Sequence, residues 1–133
     1  MSDKQNPNNA DNADDRKAAV AWGKDQLSNS IDDLADAKII DGPAVEARIV
    51  WMLPMQMFIA ELRETVSHPP AIWVIGGNVA TDHVDVRLAE SPRDAARHFA
   101  LKWQMAAARD GDDALAVQAE LLYSLVEADE AWT

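Results

Sequence analysis

Ala71-Ile72-Trp73-Val74-Ile75 is the segment that most restricts what this chain can fold into. It is β-branched and aromatic, with Pro69-Pro70 before it and Gly76-Gly77-Asn78 after it. Proline cannot donate to a sheet ladder and glycine accepts turn dihedrals, so the segment reads as a strand with a defined start and end. It is apolar at every position rather than at alternate ones, which predicts cover on both faces. A short edge strand is expected over His83 to Val86, with Val84 and Val86 inward.

The best helix start lies shortly downstream. Ser91 is a strong N-cap, Pro92 takes the first helical position, and Asp94 stands three residues after the cap. The helix is expected to run to Arg109 with Ala96, Phe99, Trp103 and Ala106 inward. Gly111 suits a left-handed C-terminal position, and Asp112 caps a last helix over Asp113 to Asp129 that buries Leu115, Leu122, Leu125 and Val126. So short a link makes the two helices antiparallel neighbours.

Upstream, Val20, Leu27, Ile31 and Leu34 form one stripe of a helix from Asp15 to about Ala37. Gly23 weakens its middle by about 1 kcal/mol relative to Ala. Asp41-Gly42-Pro43 reads as a break and a second helix start, with Val45, Ile49, Met52 and Leu53 as the apolar face and Pro54 as the stop. Met55 to Val66 is ambiguous. Met55, Phe58, Ile59, Leu62 and Val66 fit a helix, whereas Met55, Met57 and Ile59 alternate as a strand does. Residues 1–14 hold almost nothing to bury and are expected to be a disordered polar tail. The expected organisation is that tail followed by one α+β domain over residues 15–133. The domain has two N-terminal helices, a short central antiparallel β-hairpin and a C-terminal antiparallel helical hairpin.

Composition limits function more than it defines it. The net charge of −11 opposes binding to nucleic-acid phosphates and anionic membranes, so neither partner is expected. No apolar run reaches the roughly 18 residues of a membrane span. The chain has no cysteine, which removes disulfides, thiolate metal sites and a Cys nucleophile. With no signal-peptide pattern at the start, the expected location is the cytoplasm. From Arg87 to Arg109 there are five Arg/Lys and two Asp/Glu; from Asp110 onward there are seven Asp/Glu and no cation, so the last two helices should screen each other.

The polar candidates are few. Thr81-Asp82-His83 with Asp85 is the densest cluster, and Asp82 with His83 could act as a base and its orienter or as metal ligands. Neighbours on an extended chain point to opposite faces, however, and Asp82 is equally suited to fixing a turn. Arg93 and Arg97 are one turn apart at a helix N-terminus, where they could hold an anion or pair with nearby carboxylates. The three histidines show no metal-binding spacing, and no nucleophile, phosphate-loop or metal motif occurs. No cofactor is expected. Of the five tryptophans, Trp73 and Trp103 read as core, Trp51 and Trp132 as surface candidates.

Taken together, Trp73-Val74-Ile75 with Gly77, then Thr81-Asp82, then Pro92, Arg93, Ala95 and Phe99, then Trp103 form a pattern: W-V-I-x-G, T-D, P-R-x-A-x-x-x-F, W. It resembles a bacterial family of short stand-alone proteins catalogued as a domain of unknown function. The likeness spans about residues 45 to 108. It implies a strand, preceded by a proline, ahead of the W-V-I strand, which tips Met55 to Arg63 toward a hairpin strand. Ala80 stands where the family often has proline. The resemblance brings no activity, cofactor or catalytic residue.

Three functions remain open at this level. The first is a small non-enzymatic protein-interaction module, self-association included. The second is a small-molecule binding protein or enzyme with a pocket around Trp73, Asp82, His83 and Arg93, with Arg97 near it. The third is an acidic inhibitor or immunity-type protein. The balance leans away from an enzyme, because no catalytic or metal spacing stands out.

Overall fold

A computed structural model describes residues 7–40, 46–63 and 71–133. The element order is α1 (Pro7–Asp36), β1 (Glu46–Leu53), β2 (Met57–Arg63), β3 (Ile72–Gly77), β4 (Asp82–Asp85), α2 (Pro92–Asp110) and α3 (Asp113–Glu127). Short 3-10 turns follow β4 and α3, at Val86–Leu88 and Asp129–Trp132. The strands form one antiparallel meander in the order β1-β2-β3-β4.

Two expectations are corrected here. The segment after Pro43 is not a second N-terminal helix but strand β1, and the central hairpin is the middle of a four-stranded sheet. The cause of the first error is a β-bulge. The β1–β2 register shifts between Ile49 and Trp51, leaving Val50 as an extra residue. Ile49 and Met52 therefore both face α1 at a spacing of three, while Val50, Trp51 and Leu53 pack on the opposite side. A regular strand cannot place apolar residues three apart on one face, but a helix can, and the sequence pattern imitates one. Pro54 opens the turn into β2 instead of ending a helix, with Met55 at φ 65. The break at Asp41-Gly42-Pro43, the Pro69-Pro70 pair and His68 lie outside the described residues.

The sheet is a wall between two apolar layers. Along β3, Ile72 and Val74 join Leu34, Ile31 and Leu62 under α1, while Trp73 and Ile75 join Phe99, Trp103 and Leu122 under the helical hairpin. This is why the strand is apolar at every position. Phe58, Phe99, Ile59, Ile75 and Leu122 are wholly buried, and each contributes about 1.5–3 kcal/mol relative to an exposed position.

Local signals set the C-terminal half. Ser91 Oγ accepts the Asp94 N–H, Gly111 closes α2 at φ 67, and Asp112 accepts the Leu115 N–H to start α3. The close approach of α1 to the sheet explains two glycines. A β-carbon on Gly23 would meet Met52 Sδ at 3.0 Å and Ile49 Cδ1 at 3.1 Å. One on Gly76 would press on Ser30 Oγ and lie 2.9 Å from the Phe58 ring. Gly23 thus gives up helix propensity so that α1 can lie against β1.

Candidate functional site

The Thr81-Asp82 step joins the two layers of the molecule. The two side chains point to opposite faces of the sheet, as neighbours at a strand start must. Thr81 Oγ1 lies 3.1 Å from Ser30 Oγ, the one buried polar residue among those described, and 3.4 Å from Asp33 Oδ2, both on α1. Asp82 turns toward α2. Its Oδ2 accepts the Trp103 indole N–H at 2.9 Å; its Oδ1 accepts Lys102 Nζ at 2.7 Å and the His83 backbone N–H, also at 2.7 Å. One dipeptide therefore holds α1 and α2 to the same sheet edge.

His83 sits on the far side of β4 opposite Val74. Its Nδ1 is 4.0 Å from Asp82 Oδ1, beyond hydrogen-bonding distance. Burial pushes its pKa below the ordinary 6.5, with the Lys102 ammonium lowering it further and the Asp82 carboxylate raising it. Asp82 is spent on three donors and does not orient the imidazole.

Trp73 is buried, and its indole N–H donates to Ala89 O at 3.1 Å, fixing the chain just before the Ser91 cap. Arg93 crosses to the end of α3, where its Nε donates to Val126 O at 2.8 Å and its guanidinium pairs with Asp129 at 2.7 Å. It closes a helix C-terminus, where unpaired carbonyls favour a cation. Arg97 pairs with Asp94 on the surface at 3.2 Å.

The five candidates do not meet at one cavity. Asp82 and His83 are neighbours, but Asp82 grips α2 at Trp103, ten residues from Arg93 and thus about 15 Å along the helix axis. The apolar and charged chemistry of Trp73, Asp82 and Arg93 is directed into the fold. Trp51 and Trp132, read as surface candidates, are partly buried and dock on each other within the domain. Their rings stack at 4.3 Å with an 18° interplanar angle, Trp51 Nε1 donates to Ala131 O and Trp132 Nε1 to Leu125 O, each at 2.8 Å. The chain end is docked on β1. Sequence reasoning could not pair them, because they are 81 positions apart and carry no mutual signal.

A different surface emerges on the outer side of the α2–α3 hairpin. Leu101, Met105, Val117, Leu121 and Tyr123 are 54%, 62%, 63%, 47% and 48% exposed, so about half of each large apolar residue meets water. An open depression of about 600 Å³ lies there, lined by Gln104, Val117, Glu120, Leu121, Tyr123 and Ser124 and by none of the five candidates. The signal was present in the sequence as apolar residues on the side of each helix opposite Phe99-Trp103 and Leu122-Val126. Among the described residues, no group of His, Asp and Glu side chains is arranged to hold a metal ion, and no helix is long and apolar enough to cross a membrane.

The fold and its clasps define a small α+β domain: a four-stranded antiparallel sheet with one N-terminal helix on one face and a C-terminal helical hairpin on the other. Residues 16–132 match the family described as Domain of unknown function (DUF4826), and with that span the chain belongs to it. No curated protein and no solved structure matches the chain.

Proposed function

We propose that the protein is a non-enzymatic, cytoplasmic protein-interaction module whose contact surface is the outer face of the α2–α3 hairpin. The observation that carries this reading is the set of half-exposed apolar side chains at Leu101, Met105, Val117, Leu121 and Tyr123. Single exposed apolar residues are ordinary, but five on one helical hairpin mark a surface that gains by being covered. The polar residues that a pocket would need are engaged elsewhere: Asp82 with Trp103 and Lys102, Arg93 with Val126 O and Asp129. A cysteine-free chain also suits a reducing compartment.

The test is affinity capture from the native host with three baits: the wild-type chain, Met105→Glu with Val117→Glu, and Asp82→Ala as a fold-perturbing control. The reading expects a defined set of captured proteins, or extra copies of the chain, that the Met105/Val117 variant loses while its circular dichroism and melting stay unchanged. Equal capture by wild type and that variant would remove this face from consideration.

A further inference from the structure

Resting on that reading of the hairpin face, we infer that its occupant is a second copy of this chain, in a two-fold dimer that stacks α2 of each copy on α3 of the other. The argument starts from the register of the hairpin. Arg93 and Asp129 are equally far in sequence from Gly111 and form an ion pair at 2.7 Å. Asp129 lies just past the end of α3, and Arg93 also donates to Val126 O in its last turn at 2.8 Å, so the two helices run alongside each other from the turn to the open end, with residues about equidistant from Gly111 at similar heights.

A two-fold axis along the hairpin, midway between its helices, lays α2 over the α3 of the second copy without changing height. Leu101 then faces Leu121 of the second copy, and Met105 faces Val117. These are four of the half-exposed apolar residues of the face. At the turn end, Arg109 faces Asp113; toward the open end, Arg97 approaches Glu127. One operation thus matches apolar to apolar in the middle and cation to carboxylate at both ends.

Charge selects this axis over the alternative. α2 carries four Arg/Lys against two Asp, whereas α3 carries three Asp/Glu and no cation. Among the described residues, Asp113, Glu120 and Glu127 make no ion pair. Arg97 and Arg109 are held only by exposed partners on their own helix, Asp94 and Asp110, each at 3.2 Å. Such surface pairs are weak and readily exchanged. A two-fold axis across the hairpin would instead set α3 on α3 and oppose unneutralised carboxylates, in a chain whose net charge of −11 already repels its copies.

Sedimentation equilibrium of the full chain across a wide concentration range tests this. The expected mass rises with concentration toward twice that of the monomer. Leu101→Glu should raise the dimer dissociation constant by on the order of a hundredfold, because the substitution enters the interface twice. Arg109→Asp should raise it about tenfold, and Arg109→Asp with Asp113→Arg should recover most of that loss. All three positions are exposed, so thermal melting is expected to show that each variant still folds. A wild-type chain that stays monomeric throughout, or a dimer indifferent to Leu101→Glu, would overturn the inference. If the chain is monomeric but Met105→Glu with Val117→Glu abolishes specific capture from the host, the face binds a different protein: the second copy is wrong and the interaction reading stands. If neither effect is seen, both fail.

Discussion

The Trp103 indole donates to the Asp82 carboxylate at 2.9 Å across the boundary between sheet and helix. Trp103 is 3% exposed, and the carboxylate is the acceptor for its N–H. Asp82→Ala should therefore lower the unfolding free energy by about 1–3 kcal/mol, the cost of a buried donor left without an acceptor. Asp82→Asn keeps an acceptor oxygen and should lose less. Urea titration checks both, with the midpoint falling and the slope unchanged. A loss of activity or binding in Asp82→Ala would then be read through its stability before any role at a site.

The stacked Trp51 and Trp132 rings should give the protein a spectroscopic signature. Two indoles at 4.3 Å couple their transitions, and an exciton couplet in circular dichroism is expected. Trp132→Ala should abolish it and cost about 0.5–1.5 kcal/mol for the aromatic pairing, plus the lost burial. Trp22→Phe should leave the couplet in place, since Trp22 has no role in the stack.

Three glycines should respond differently to alanine. At Gly77, φ is 110 and the new β-carbon would lie 2.8 Å from the Gln56 backbone oxygen, so Gly77→Ala should be the most damaging, above about 2 kcal/mol. Gly76→Ala meets the Ser30 hydroxyl and the Phe58 ring, and repacking should hold its cost to about 1–3 kcal/mol. Gly111→Ala enters open space and pays only for a left-handed φ of 67, about 1 kcal/mol. Thermal melts of the three variants should rank in that order.

Stability should fall in two separate steps as the solution is acidified. His83 is held below the ordinary 6.5, mainly by burial, so the unfolded chain binds its proton first. Stability should be full above that value, decline as pH drops through it, and level off below the folded pKa. His83→Gln should flatten this step. Asp85 is held down at about 2 by its hydrogen bonds to Arg87, against an ordinary 3.8. Its contribution is present above 3.8 and lost as pH falls toward 2, and it is small because the pair lies at the surface, where water screens it. Proton NMR titration of His83 and denaturation across pH 2 to 8 check both steps.

Much of the fold was legible because much of it is local. The Ser91 cap, Pro92, the Gly111 stop and the Asp112 cap act within a few residues, and they place α2 and α3 where the sequence puts them. The strand read at Ala71–Ile75 is equally local in its β-branched and aromatic composition, although β3 runs on through Gly76 and Gly77, which pair with Phe58 and Met57 instead of turning. The sequence also implied cover on both faces of that strand, which α1 and the helical hairpin supply.

What the sequence alone could not decide depended on partners far along the chain. The Glu46–Leu53 segment became a strand because β2 was there to pair with it, and the bulge at Val50 erased the period-two pattern that would have revealed this. Asp82, His83 and Arg93 looked like chemistry because their partners were out of sight: Trp103 and Lys102 for Asp82, Val126 O and Asp129 for Arg93. A polar side chain looks unoccupied in a sequence until folding brings its acceptor or donor to it. Hydrophobic content determined that the chain would form a core. Only the tertiary structure decided which polar groups the fold would consume and which apolar face it would leave open to water.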